Sequence, residues 1–404
     1  MSRERCTRLL IAGLCFVLVW TLAALLTGHG LPGFNYFYNS YSLQAQAWLQ
    51  GRLDLEDGGL YEWLELAQLD GKYYVSFPPF PSLVLLPLVL LFGAVTPDGF
   101  VALAAALLSL WHAMALAEDC LPRRREAGLW VLYLLLGNGY LYLCLNGWVW
   151  FLAQNLCFCL SLAALHHARR GRGGWALSCW AAAVGCRPMA VIYGPMLLWI
   201  LWRQLEEREP GCPPLRRVRS HLRWAVGPVL LAAFYMTLNV LRFGNPLEFG
   251  HSYLPEFQTY GSQFSLRYLP DNLLAYLAPP MVGENGALRL QSADGGAAWL
   301  VNPIFWTALA AWIVSLRRPG DGALRVLLPV LTLAYLTVIL CHRTLGAWQF
   351  GNRYLVDLMP WVWYGILCWQ PAEDDRFTRW NLPLMLLGTV IQFLGTVAVY
   401  NGWY

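Results

Sequence analysis

Runs of apolar residues long enough to cross a bilayer dominate this chain and decide what it can fold into. A helical span needs about 20 predominantly apolar residues, with about 17–25 as the range. Leu9–Thr27 meets that length. Further apolar segments follow at 81–95, 99–117, 128–146, 148–168, 175–186, 189–202, 224–241, 298–316, 326–342, 355–369 and 382–399. Pro87 breaks the second of these, and Arg187-Pro188 separates the pair 175–186 and 189–202. Broken helices at membrane depth are tolerated where they line a protein cavity, and about 11–13 transmembrane helices are expected in all. No segment alternates in the manner of a barrel strand. The expected fold is therefore an all-α polytopic membrane protein. Charged residues are only 13% of the 404, against about 25% in a soluble domain, so no soluble domain of useful size is expected at either end.

The basic residues orient the helices. All but one of the 28 are arginine, and the exception is Lys72. Arginine clusters at 3, 5 and 8, at 123–125, at 169, 170 and 172, between 203 and 223, at 317, 318 and 325, and at 376 and 379 abut the ends of apolar segments. By the positive-inside rule those loops are cytoplasmic, and so is the N-terminus. The first segment follows Arg3, Arg5 and Arg8 like a signal peptide. Its apolar run is long for one and no cleavage site is convincing, so it reads as a retained helix. Loops 28–80 and 243–297 are acidic and fall on the outer face by the same rule. Twelve full crossings would place loop 243–297 inside, so one short segment does not cross by itself. The net charge of +4 is too small to argue for a nucleic-acid partner. Most of the eleven cysteines lie within apolar runs and read as structural thiols. No internal repeat is evident, which weighs against a transporter of duplicated halves.

The polar residues that could do chemistry gather in the two outer loops. In the first, 41–50 places Tyr41, Ala45 and Trp48 on one helical face, with Ser40 as a cap and Gly51 as a stop. This suits a helix lying in the interface or packed on the bundle. A second short helix is expected at 60–68. Asp70-Gly71 is a turn signal, Tyr73 and Tyr74 suit the interface, and Pro78, Pro79 and Pro81 fix an extended approach to the next helix. Lys72 either binds a lipid phosphate or snorkels. The loop acids Asp54, Glu56, Asp57, Glu62, Glu65 and Asp70 are what a solvated loop looks like, although one of them could serve as a general base against a substrate hydroxyl. In the second loop, Gly244-Asn245-Pro246 is a turn, with Glu248 and His251 three apart. Arg353 and Asp357 stand at i, i+4 at a helix start and could pair. Arg187 is the one arginine in the middle of an apolar stretch, where ionisable groups are expensive and usually line a cavity. Loop acids could hold a divalent cation, but no ligand spacing indicates one; the cofactor is left open.

Taken in order, Ala45–Leu55 (AQAWLQGRLDL), Asp70–Pro81 (DGKYYVSFPPFP), Asn146–Gln154 (NGWVWFLAQ), Gly185–Pro188 (GCRP), Phe243–Gly250 (FGNPLEFG) and Phe350–Asp357 (FGNRYLVD) resemble bacterial GT-C-fold glycosyltransferases. That superfamily holds the protein O-mannosyltransferases and the lipid A aminoarabinose transferase. The resemblance spans nearly the whole chain. It implies one GT-C-like helix bundle over residues 1–404, with juxtamembrane helices in the first outer loop and a cavity opening there. It implies transfer of a sugar from a polyprenyl-phosphate donor to an acceptor hydroxyl on a glycan, lipid or protein at the outer face of the cell (inner) membrane. A carboxylate would deprotonate or orient the acceptor, and cations would stabilise the departing phosphate. Within it, Lys72, Arg353, Arg267 and His251 are the donor-phosphate candidates. Asn35, Asn39, Tyr73, Tyr74, Glu248 and Asp357 would line the cavity. The family usually carries an acid soon after the first helix, yet residues 28–53 hold none, and Asn35 and Asn39 stand in that region. The base is then one of Asp54, Glu56, Asp57 or Asp70, or the chain is a catalytically altered relative. A carrier of lipid-linked sugar is the reading from another class.

Overall fold

The computed structural model describes residues 3–28, 33, 37–56, 58, 64–259, 261–282, 288–292, 295–371 and 375–403. Every apolar segment identified in the sequence contains helix, with 128–146 split at Gly137–Gly139 and 298–316 split at Asn302-Pro303. In chain order the elements are α1 (Arg3–Leu26), α2 (Ser40–Leu49), β1 (Leu66–Leu69), β2 (Lys72–Val75), α3 (Phe80–Phe92), α4 (Asp98–Cys120), α5 (Ala127–Leu136), α6 (Tyr140–Leu143), α7 (Val149–Arg169), α8 (Gly173–Val184) and α9 (Gly194–Arg208). They continue as α10 (Pro214–Ser220), α11 (Val226–Phe243), α12 (Pro255–Thr259), α13 (Leu269–Leu277), β3 (Met281–Val282), β4 (Leu288–Arg289), α14 (Ala298–Val301), α15 (Ile304–Leu316), α16 (Gly322–Leu340), α17 (Met359–Trp369) and α18 (Arg376–Tyr400). Among the described residues six helices are long and apolar enough to cross a membrane: Arg3–Leu26, Asp98–Cys120, Val149–Arg169, Leu222–Phe243, Gly322–Leu340 and Arg376–Tyr400. Phe80–Phe92 and Ile304–Leu316 are shorter apolar helices. All eleven cysteines are free thiols.

Two readings of the outer loops change. The sequence supported no strands, yet β1 and β2 form a short antiparallel hairpin and β3 pairs antiparallel with β4. The helix expected at 60–68 gives way to strand from Leu66, while residues 59–63 lie outside the described residues. The helix expected at 41–50 is α2. Seven of its ten residues are buried, so it packs into the protein rather than lying exposed. Asn39 rather than Ser40 precedes its first turn, and Gly51 (φ +73°) ends it in the left-handed conformation that glycine adopts without cost.

The chain forms two compact units. Residues 1–31, 106–145 and 266–404 make one, and residues 32–105 and 146–265 make the other. In the first unit, Trp130, Trp361 and Trp363 are fully buried, and the Trp363 indole donates to the Trp130 carbonyl at 2.9 Å. The Thr307 hydroxyl joins Tyr133 (3.2 Å) to Asn381 (2.8 Å), which ties α5, α15 and α18 together by polar contacts away from water. The buried Glu118 carboxylate receives both Arg5 and Arg8, each at 2.9 Å, which fixes the start of α1 against the end of α4.

In the second unit the core is built from α2, α3, the start of α4, α7 and α8, around Tyr41, Leu43, Leu85, Val89, Val149, Leu152 and Leu156. Arg187-Pro188 divides α8 from α9, as their residue types require. Pro188 cannot continue the hydrogen-bond ladder, and a 3₁₀ turn (Pro188–Tyr193) follows. The carbonyl of Gly185 released at the break takes the Phe80 N–H at 3.0 Å. A broken helix is tolerable where its backbone finds such partners.

Candidate functional site

The site in the second unit begins with the β1–β2 hairpin. Asp70 (φ +51°) and Gly71 (φ +74°) both adopt positive φ, as a two-residue turn matching strand twist requires. The turn sets the register: Leu69 faces Lys72, Gln68 faces Tyr73, Ala67 faces Tyr74 and Leu66 faces Val75. One step further, Ser76 meets Glu65, and its hydroxyl donates to the Glu65 carbonyl at 2.8 Å. The Leu55 N–H pairs with the Tyr73 carbonyl at 2.8 Å and adds a third edge. Tyr74 is buried edge-on to Phe243 (5.4 Å between centroids), which stacks on Tyr253 at 5.3 Å.

The end of α11 locks onto that hairpin. The buried Arg242 guanidinium donates to the Val75 carbonyl (3.1 Å) and to Asn239 Oδ1 (2.9 Å), and Asn239 Nδ2 donates to the Pro246 carbonyl at 3.0 Å. Gly244 (φ +69°) closes the helix, as the Gly-Asn-Pro sequence predicted. The Glu248 carboxylate then organises the turn beyond. It accepts the Gly250 N–H at 2.6 Å and the Ser252 hydroxyl at 2.5 Å. Gly250 sits at φ +101°, and a Cβ there would lie 2.7 Å from the Phe243 ring and 3.2 Å from Ser76 Cα. Only glycine lets this turn close on the hairpin.

The turn delivers His251 to Ser76. Nδ1 lies 3.1 Å from the Ser76 carbonyl. A carbonyl only accepts, so Nδ1 carries the hydrogen, and in the neutral ring Nε2 is the acceptor nitrogen. Burial is the main cause that pushes the His251 pKa below its ordinary value. The Arg187 charge adds to this, while the Ser76 carbonyl, Glu256 and Glu248 oppose it. The same arginine acts on Tyr41, whose hydroxyl pKa is raised by burial and by Cys186 and lowered by Arg187. Phe77 lies between the two rings, 5.7 Å from His251 and 6.3 Å from Tyr41. Arg187 itself is half-buried, in extended backbone just past the end of α8. Nearby, Glu65 Oε2 accepts the Trp150 indole N–H at 3.1 Å, and Tyr38 packs on Trp150 (4.9 Å) and Trp148 (5.2 Å). The result is an imidazole of fixed tautomer and a carboxylate beside an aromatic cluster, both held by the hairpin, with the Arg187 charge acting on the imidazole.

The FGNRYLVD motif belongs to the other unit. Asn352 (φ +56°) exchanges two hydrogen bonds with the Gly296 backbone, both 2.9 Å. The Gly351 N–H donates to Gln291 at 2.8 Å, and Asn302 donates to the Gly351 carbonyl at 3.0 Å. Arg353 is buried, with its backbone N–H on Gln349 (2.7 Å) and its guanidinium over the Tyr354 ring at 5.1 Å. The buried Asp357 accepts the Tyr335 hydroxyl at 2.9 Å.

Set against the sequence expectations, Tyr74, Glu248 and His251 come together, and Arg353 and Asp357 share the buried 3₁₀ turn Arg353–Leu358 that leads into α17. Lys72 and Asp70 are exposed at the hairpin tip. Lys72 and Ser76 are four residue steps apart along the strand, about 13 Å at ~3.3 Å per residue. Tyr73 is half-buried on β2, and Asp54 is half-buried beside it. Asn39 is buried and donates to the Ala94 carbonyl at 3.1 Å. Arg267 is exposed in a short 3₁₀ turn, 4.7 Å over the Tyr268 ring. Asn35 and Asp57 lie outside the described residues. The sequence had passed over Arg242, had counted Glu65 only among the loop acids, and had marked Arg187 as a cavity residue without a site. Counting outward from the Asp70-Gly71 turn would have placed Glu65 opposite Ser76.

The chain has the fold of the GT-C membrane glycosyltransferases. ArnT from Cupriavidus metallidurans, solved bound to undecaprenyl phosphate, superposes with a TM-score of 0.56 at 14% identity, over 97% of this chain and 76% of that one. Its apo state gives 0.53 at the same identity and coverage. The archaeal oligosaccharyltransferase AglB from Archaeoglobus fulgidus, in complex with an inhibitory peptide and a dolichol phosphate, gives 0.52 at 11% identity, over 95% of this chain and 56% of that one. No family model and no curated protein matches the sequence.

Proposed function

We propose that this chain is an integral-membrane glycosyltransferase that moves a sugar from a polyprenyl-phosphate donor to an acceptor hydroxyl. The His251 imidazole that Ser76 holds against the hairpin, with the Arg187 charge acting on it, carries the reading, in a fold shared with an enzyme solved with undecaprenyl phosphate. Arg187 binds the donor phosphate with its planar fork. As the bond from the sugar's anomeric carbon to the phosphate oxygen breaks, the phosphate leaves with the electron pair and Arg187 stabilises the charge that develops. The acceptor oxygen forms the new bond, and its proton passes to Nε2 of His251. Glu65 and the Tyr38–Trp150 cluster hold the acceptor. The positive-inside rule, applied to the arginine clusters, supports an outer-face position for this hairpin and a cytoplasmic N-terminus.

The direct test gives purified protein radiolabelled polyprenyl-phosphate sugars and a membrane extract. Label is expected in an extractable acceptor; no transfer from any donor would overturn the proposal. In the same assay Lys72→Ala and Asp70→Ala are expected to stay within about threefold of wild type, a cost below roughly 0.7 kcal/mol. Loss of transfer in Lys72→Ala would move the phosphate to the hairpin tip.

The pH dependence follows from His251. Its pKa is lowered, so the folded ring is neutral where an ordinary histidine begins to protonate. Transfer is expected to be flat above about pH 7 and to decline only below about 6.5, the ordinary histidine value. Stability follows the same sign: the unfolded chain takes up the proton first, so stability is lost as pH falls from about 6.5 through the lowered folded value. His251→Gln is expected to remove the acid limb from the profile of kcat/KM against pH. An unchanged limb in that variant would exclude His251 as the base.

A further inference from the structure

The arginines between 203 and 223 do more than mark a cytoplasmic loop. Arg217 turns inward: it is buried, 4.9 Å over the Trp202 ring, and donates to the Glu209 carbonyl at 3.0 Å. Anchoring α10 in this way turns its other residues outward, along with those at the start of the 3₁₀ turn Leu222–Ala225 that follows it. Leu215, Val218 and Leu222 are 68%, 50% and 61% exposed, and exposed Arg216, Arg219 and Arg223 lie between and beside them. An apolar stripe flanked by arginines suits an element lying in the bilayer surface.

Beside this stripe is an open cavity of about 560 Å³, lined by Arg172, Gly173, Gly174, Trp175, Arg223 and Trp224. The Trp224 ring lies directly on Gly173, where a Cβ would fall 1.9 Å from it. Only a glycine at 173 permits that contact, and the contact holds Arg223 in the same groove as Arg172. Among the described residues neither Arg172 nor Arg223 forms an ion pair, and Trp175 is 68% exposed. We propose that this groove binds the phosphate of an anionic phospholipid of the surrounding bilayer. Arg172 and Arg223 clamp the phosphate oxygens, and Trp175 with Leu215, Val218 and Leu222 sits at the boundary between headgroups and acyl chains. Charge complementarity selects an anionic lipid over a zwitterionic one, and the apolar stripe selects a lipid over a free anion.

The test reconstitutes the full chain with phosphatidylcholine and phosphatidylglycerol and measures retained lipid by native mass spectrometry. Phosphatidylglycerol is expected to be retained at least about tenfold over phosphatidylcholine, falling toward parity in Arg172→Gln/Arg223→Gln. Retention unchanged in that variant would overturn the proposal. Displacement of the lipid by millimolar inorganic phosphate would also overturn it, because the site would then be one for free phosphate. Undecaprenyl phosphate winning at equal mole fraction would overturn it too, because the groove would then belong to the donor. If the double variant does not fold, a salt titration of wild type decides. Retention that falls steeply with salt supports the clamp, and retention independent of salt excludes it.

Discussion

Replacing Arg187 by alanine is expected to lower sugar transfer about 10²–10³-fold, the loss found when one preorganised charge-stabilising donor is removed, with expression little changed. Arg187 follows the broken end of α8 and is half-buried, so the substitution leaves the Gly185–Phe80 hydrogen bond and the 3₁₀ turn in place. Arg187→Lys keeps the charge but loses the planar fork, and should fall between the two. A further readout distinguishes chemistry from packing. The Arg187 charge helps to hold the His251 pKa down. Removing it lets that pKa rise, so the residual activity of Arg187→Ala should show its acid limb at higher pH than wild type. A merely structural role would lower the rate without moving the limb. Transfer within threefold of wild type, with the limb unmoved, would remove Arg187 from the mechanism.

The helices were legible because apolar runs of span length in a chain with few charges have little alternative to helix. The breaks were legible for the same kind of reason: Pro188 and Gly244 lack what a continuing helix needs. The stretch 60–68 was not. Leu60, Leu64 and Ala67 fit a helical face, yet a short apolar run fits a strand as well. The Asp70-Gly71 turn decides the matter by pairing Leu66 with Val75. The site was legible only in pieces. His251 and Glu248 stood out by residue type, and Arg187 by its cost in an apolar stretch. Lys72 stood out by rarity, but rarity carries no geometry, and Lys72 is exposed at the hairpin tip. Arg242 carried no local signal, because its partner Val75 lies 167 residues away. The same is true of Asn352, whose two hydrogen bonds to Gly296 cross 56 residues.

Arg242 yields the largest expected change in stability. Arg242→Met keeps much of the volume and removes every donor. The Val75 carbonyl and Asn239 Oδ1 then lose the guanidinium that reaches them at 3.1 and 2.9 Å. Each buried acceptor left unsatisfied costs about 1–3 kcal/mol. Part of that is offset, because burying the guanidinium was itself unfavourable. A net destabilisation of about 2–4 kcal/mol is therefore expected, read as a lower thermal midpoint in detergent. The loss should reach the chemistry as well, because the hairpin pinned by Arg242 also carries Ser76, the carbonyl that fixes the His251 tautomer. Asn239→Ala removes one of the two acceptors and also the donor to the Pro246 carbonyl, and should cost about 2 kcal/mol. Because the two substitutions share only the Arg242–Asn239 bond, the double variant should exceed Arg242→Met by the Pro246 bond alone, about 1 kcal/mol, and so fall short of the sum of the two. Additive losses, or an Arg242→Met protein as stable as wild type, would show that the Arg242 hydrogen bonds do not hold the hairpin.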